Sequence, residues 1–116
     1  MEILSVSPEL MGHMNLNIPI TKNVNELLLG ILNGNIIGYL IIGKDNRGYN
    51  LEHLFIDEKH RRKGFGTKLL ETCLDSYKPI RLIVSTDNRS AVHMYEKHGF
   101  QRLHITGRYY VMQTIN

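Results

Sequence analysis

The chain holds a single cysteine, Cys73, among 116 residues. That excludes an internal disulfide framework, and a reducing cytoplasm is the expected setting. Long apolar runs are missing too. The longest, Ile36 to Ile42, is interrupted by Gly38 and falls far short of a bilayer span, so no membrane is expected as partner. No signal peptide is expected, because Glu2 follows Met1 at once and no apolar core precedes a cleavage-like site. Metal-ligand spacings are absent. There is no H-E-x-x-H and no Cys/His pairing, and His93 and His98 stand five apart, which turns them away from each other on a helix. No metal is therefore expected. Without a repeat, linker or low-complexity tract, residues 1–116 read as one domain with one core.

The formal charge is +3, which raises the question of nucleic acid. Much of the excess sits in Lys59 to Lys63, and no basic patch interleaved with aromatics occurs elsewhere, so no nucleic-acid partner is expected. That basic run is better explained by its setting. Tyr49 to Ile56, YNLEHLFI, reads as a strand bounded by polar turns. Leu70, Cys73, Leu74 and Tyr77 recur at helical spacing, which also places Cys73 on an apolar face as a packing thiol. Between them lies Arg61-Arg62-Lys63-Gly64-Phe65-Gly66-Thr67. Strand, basic glycine loop and helix together bring free N–H groups, a positive helix end and three cations to one spot. Gly64 and Gly66 allow close backbone approach, and the loop suits a phosphate or pyrophosphate. Its spacing is neither a Walker loop nor a dinucleotide fingerprint, because Leu69 stands where the third glycine would be.

The second half extends the pattern. Ile80 to Ser85 reads as a buried strand after Pro79, completing a right-handed parallel βαβ unit. Asn88 is an N-cap for a helix over Arg89 to Lys97, stopped by Gly99. Phe100 to Ile105 and Tyr109 to Thr114 read as a hairpin. Upstream, Glu26 to Leu32 and Ile36 to Lys44 flank Asn33-Gly34, a type I′ turn signal. Gly38 and Gly43 mark bulges or the close approach of another backbone.

Two motifs now stand in order: Arg61-x-x-Gly64-x-Gly66, and Asn88-x-x-Ala91-x-x-x-Tyr95-Glu96-Lys97-x-Gly99-Phe100. With them the chain resembles the GNAT superfamily of acyl-CoA-dependent N-acyltransferases over roughly Glu26 to Thr114. The resemblance implies an α/β (α+β) fold: a mixed, mostly antiparallel sheet with a central parallel βαβ unit and a splayed strand pair, Leu51–Ile56 and Ile80–Ser85. It implies acetyl-CoA as co-substrate between those strands. Leu54, Phe55 and Ile56 would offer a free backbone edge to the pantetheine arm. Arg61, Arg62, Lys63, Gly64, Phe65, Gly66 and Thr67 would hold the pyrophosphate, and Asn88 would touch the pantetheine.

The family usually places two helices between its first and second strands. Here Met1 to Ser5 reads as a strand, Pro8 to Met14 as one short helix, and Asn15 to Asn25 as a polar segment broken by Pro19. A shortened N-terminal helical region leaves the acceptor site either wide or completed by a second subunit, as in a homodimer.

Acetyl transfer needs a neutral amine, and an alkylamine has a pKa near ~10.4, so a base must take its proton, and a carboxylate, usually through water, can do so. Glu52 is the candidate, in the strand flanking the thioester and on the face of Leu54 and Ile56; a solvent-facing glutamate fits the same pattern. His53 reads as a core or a pocket residue. Tyr95 lies seven residues from Asn88, about 10 Å along the helix on nearly the same face. In the resembling family a tyrosine there protonates the CoA sulfur; an aromatic packed between helix and sheet is the other reading. The acceptor is expected to be a small-molecule or peptide amine. A non-catalytic acyl-CoA sensor with the same fold is the alternative function.

Overall fold

Asn33 and Gly34 take φ of 52° and 81°, the doubly left-handed turn that an Asn-Gly pair favours. The hairpin around them anchors the sheet. In a computed structural model, which describes residues 1–11 and 17–115, the chain forms β1 (Glu2–Val6), α1 (Pro8–Met11), β2 (Val24–Leu32), β3 (Asn35–Asp45) and β4 (Gly48–Ile56). A short 3₁₀ turn at Glu58–His60 leads to α2 (Phe65–Ser76), β5 (Ile80–Ser85), α3 (Arg89–Lys97), β6 (Phe100–Thr106) and β7 (Tyr109–Thr114). The sheet order is β1-β2-β3-β4-β5-β7-β6, antiparallel except for β4 and β5. The parallel unit read from the sequence is therefore present.

The expected helix after β1 is present over Pro8–Met11; residues 12 to 14 of that expectation lie outside the described ones, as do 15 and 16 of the polar segment. β2 starts at Val24, two residues earlier than its apolar pattern suggested. Gly38 meets the expectation of a close backbone approach: a Cβ there would come within 2.5 Å of the Phe55 carbonyl oxygen.

α2 and α3 cover one face of the sheet. Leu40, Ile42, Leu51, Leu69, Leu70, Ile80, Leu82 and Met112 are buried between helices and strands. Each such side chain contributes about 1.5–3 kcal/mol on burial, so this layer carries most of the fold's hydrophobic stabilisation. On the other face a smaller cluster of Val6, Met11, Leu27, Leu29 and Ile41 covers β1 to β3. A polar tie joins β2 to the end of α2: Tyr77 donates to Glu26 at 2.6 Å, and Asn25 donates to Tyr77 at 3.0 Å.

Two features place the site. β4 and β5 pair only at Tyr49↔Ile80 and Asn50↔Arg81, and beyond these they separate. β4 also carries a bulge at Glu52, since Ile41 faces His53 while Ile42 faces Leu51. An extra residue in one strand bends it and re-aims its side chains.

Candidate functional site

The separation leaves the β4 edge from Leu51 to Ile56 without a strand on the β5 side. Among the described residues, the N–H and C=O groups that this segment turns away from β3 have no strand partner, and only the Ile56 carbonyl is taken, by Arg61. Downstream of β4, the chain coils. Arg61 Nε donates to the Ile56 carbonyl at 2.8 Å, and its guanidinium lies 5.6 Å from the centre of the Phe55 ring. Arg62 and Gly64 both take positive φ, 64° and 83°. For a residue with a Cβ that conformation costs about 1–2 kcal/mol, so glycine suits position 64.

Gly64 is the N-cap of α2 and has no side chain with which to cap it. The first-turn N–H groups of Phe65, Gly66 and Thr67 thus stand without intrahelical or capping partners. They open on a cavity of about 520 Å³. A Cβ on Gly66 would meet only Ile56 Cγ1, at 3.6 Å, so the fold itself has room for one. The glycine keeps the cavity open rather than relieving strain.

The opposite wall of that cavity is α3. Asn88 caps the helix, its Oδ1 accepting from Ala91 N at 3.3 Å. Tyr95 lies further along, 7% exposed, with its ring edge-on to Phe100 at 5.4 Å. Burial pushes its hydroxyl above the ordinary tyrosine pKa. At neutral pH the phenol keeps its proton and is a donor.

A second cavity, about 510 Å³, is bounded by β4 from Tyr49 to His53 and by Pro79 and Arg81 to Ile83. Glu52 lines it. Thr21 Oγ1 donates to its two carboxylate oxygens at 3.0 and 3.2 Å. The carboxyl lies over Gly43, where a Cβ would come within 2.7 Å of Glu52 Cδ and 2.6 Å of Asn50 Oδ1. Plain alternation put Glu52 on the face of Leu54 and Ile56. The structure corrects this: Leu54 and Ile56 pack on the helical side, and the bulge turns Glu52 to the other.

Of the residues singled out from sequence, Leu54, Ile56, Arg61, Arg62, Gly64, Phe65, Gly66, Thr67, Asn88 and Tyr95 meet around the first cavity. Phe55 and Lys63 do not line it. Phe55 points the other way, 42% exposed and 5.4 Å from the Tyr39 ring. His60, Ser90, Ala91 and Met94 also line the cavity and were missed. Helical spacing from Asn88 would have found Ala91 and Met94; nothing in the sequence marks His60, whose Nδ1 lies 3.2 Å from Asp57 Oδ2. His53 is exposed and lines the Glu52 cavity, so it is a pocket residue. Cys73 is buried, and burial, followed by the nearby charge of Glu26, pushes its thiol up to about 12. It packs and does not attack. Among the described residues no cluster of His, Cys, Asp and Glu suits a metal ion, and no helix is long and apolar enough to cross a membrane.

Residues 25–102 match the acetyltransferase (GNAT) domain family. The N-alpha-acetyltransferase RimI of Mycobacterium tuberculosis is 32% identical over 83 residues, which are 66% of this chain and 52% of that protein. The chain thus spans about half the length of that relative. Among solved structures, PH1933 of Pyrococcus horikoshii superposes with a TM-score of 0.70 at 29% identity, covering 76% of this chain and 63% of that one. Arabidopsis thaliana Naa50, in complex with the bisubstrate analogue CoA-Ac-MVNAL, reaches 0.74 at 20% identity with both chains fully covered, a likeness of fold. The family match covers well over half of the sequence, and its span contains both motifs and the whole first cavity: the chain belongs to the GNAT acetyltransferase family.

Proposed function

We propose that this protein is an acetyl-CoA-dependent N-acetyltransferase that moves an acetyl group to a primary amine by direct attack. The observation that carries the reading is the first cavity. It gathers uncapped helix N–H groups, Arg61 and Arg62, and Tyr95 beside an unpaired strand edge. Acetyl-CoA supplies the acetyl thioester and an anionic diphosphate. The α2 N-terminus and its flanking arginines fit the diphosphate, and the β4 edge fits an amide-bearing arm.

Direct attack is favoured over a covalent acetyl-enzyme because Cys73, the sole thiol, is sealed in the core and holds its proton. In this scheme Glu52 receives the ammonium proton, directly or through water, so that nitrogen presents a lone pair. The free N–H groups of β4 stabilise charge gathering on the carbonyl oxygen as the C–N bond forms. The nitrogen, now bonded to carbon, releases its second proton to solvent, while Tyr95 donates its own to the sulfur as the C–S bond breaks and recovers one from solvent. Glu52 and Tyr95 line separate cavities, with the gap between β4 and β5 lying between them. The acceptor amine therefore approaches from the Glu52 side and the thioester from the Tyr95 side. RimI acts as an N-alpha-acetyltransferase by name, which supports a peptide amine among the acceptors to be tried.

The test is incubation with acetyl-CoA and a panel of small amines and peptides, following free thiol release and product mass. Amine-dependent release is expected. Tight acetyl-CoA binding with no release across a broad panel would establish the sensor instead.

A further inference from the structure

The second cavity carries a charge that acetyl transfer does not account for. Arg81 lines it, half-buried, next to Asn50 in the parallel register of β4 and β5. Its side chain is held by a neutral group: Nε and Nη2 both donate to Gln113 Oε1, at 3.3 and 3.2 Å. Gln113 sits opposite Arg81 on β7, so the strand register itself fixes this pair. Among the described residues no carboxylate lies within 4.0 Å of the guanidinium. The two acids of the cavity are engaged elsewhere: Asp45 Oδ1 accepts from Arg47 N in the turn, and Glu52 is held by Thr21. A guanidinium offers five N–H donors in a planar fork suited to a carboxylate or phosphate, and Gln113 takes only part of that fork. Arg47, on the exposed rim, adds a second cation.

We infer that the amine acceptor carries an anionic group, and that Arg81, oriented by Gln113, binds it in the Glu52 cavity. The inference rests on the proposed transferase reading for the position of the amine. Glu52 lies over Gly43 on β3, and Arg81 stands on β5, with Asn50 of β4 between them. The strands beneath them, β3 under the carboxyl and β5 under the arginine, are two spacings apart, roughly 10 Å. An amine hydrogen-bonded at one end and an anion a few bonds away at the other span that distance. The class is an amino acid-like molecule or a peptide with an acidic residue near its N-terminus.

The experiment uses matched acceptors: glycine, β-alanine and 4-aminobutyrate against their carboxamides, 2-aminoethyl phosphate against ethanolamine, and a tripeptide with aspartate second against the same peptide with asparagine. The small pairs and the peptide pair separate the two sources of the anion. A charged hydrogen bond is worth about 1.5–3 kcal/mol, so wild-type kcat/KM should favour one or more anionic members by about tenfold or more. In Arg81→Gln the anionic member should fall to the level of its neutral twin, and Arg81→Lys should keep part of the preference. Binding is followed separately by the Arg81 Nε–Hε resonance of ¹⁵N-labelled protein, titrated with the same acids. Equal use of every pair by the wild type overturns the inference, as does a preference that survives Arg81→Gln. If no amine is acetylated, an Arg81 shift that acids cause and amides do not upholds anion binding while the transferase reading fails. Neither turnover nor such a shift overturns both.

Discussion

Replacing Gly66 with alanine should separate the stability of the fold from the affinity of the first cavity. Gly66 is in the first turn of α2 with ordinary helical backbone, and an added Cβ meets only Ile56 Cγ1 at 3.6 Å. Alanine costs less backbone entropy in a helix, by up to about 1 kcal/mol, so the melting temperature should hold or rise by a few degrees. The same methyl enters the cavity beside the N–H groups of Phe65 and Thr67. If it displaces the diphosphate from one charged hydrogen bond of about 1.5–3 kcal/mol, acetyl-CoA should bind roughly 10- to 150-fold more weakly. Valine at the same place should do more. Gly64→Ala is the control of opposite sign: its φ of 83° penalises any Cβ, so stability should fall by about 1–2 kcal/mol. Calorimetric titration with acetyl-CoA and thermal melts on the same samples read both quantities. Unchanged affinity in a folded Gly66→Ala or Gly66→Val protein would refute the placement of the diphosphate.

Three more outcomes follow from side chains already placed. Glu52→Gln should lower turnover most at neutral pH and regain part of it at alkaline pH, where the amine loses its proton unaided; a uniform loss would point to binding instead. Tyr95→Phe keeps the packed ring and removes the hydroxyl, so kcat should drop about 10²–10⁴-fold, toward the lower end for a thiolate leaving group, with acetyl-CoA affinity within a few fold; near-normal turnover at a chemistry-limited rate would return Tyr95 to the core. The thiol of Cys73 titrates at about 12 in the fold against 9.0 ordinarily, and Tyr77 at about 12 against 10.0. The unfolded chain therefore releases these protons first, and stability should fall as pH rises from about 9 toward 12. Melts across that window check the sign, and a flat profile would count against the buried thiol.

Most of the architecture was legible because local chemistry and tertiary context agree. β5, α3 and β7 begin and end where the apolar periods, Asn88 and the Gly99 stop place them. The hairpin at Asn33-Gly34 needed no tertiary information. Glu52 was misplaced for a definite reason: alternation with period two assumes an unbroken ladder, and the bulge depends on pairing with β3, which β4's own sequence does not encode. Gly43 was the available sign, since its missing side chain makes room for the re-aimed carboxyl. Phe55 was assigned for its backbone edge, so its side chain facing away from the first cavity leaves that assignment as it stood. Arg81 and Gln113 are 32 residues apart, and only the order β5-β7 brings them together.

The two-pair contact between β4 and β5 also has a mechanical meaning. Hydrogen bonding divides the sheet into two leaves, β1 to β4 and β5-β7-β6, joined at the seam by Tyr49↔Ile80 and Asn50↔Arg81. Below the seam, the helices and their shared core keep the leaves from parting. A molecule lying along the Leu51–Ile56 edge becomes in effect a missing strand, fastening one leaf to the other. Under the proposed function, its departure would leave the two leaves joined, strand to strand, by those two pairs alone.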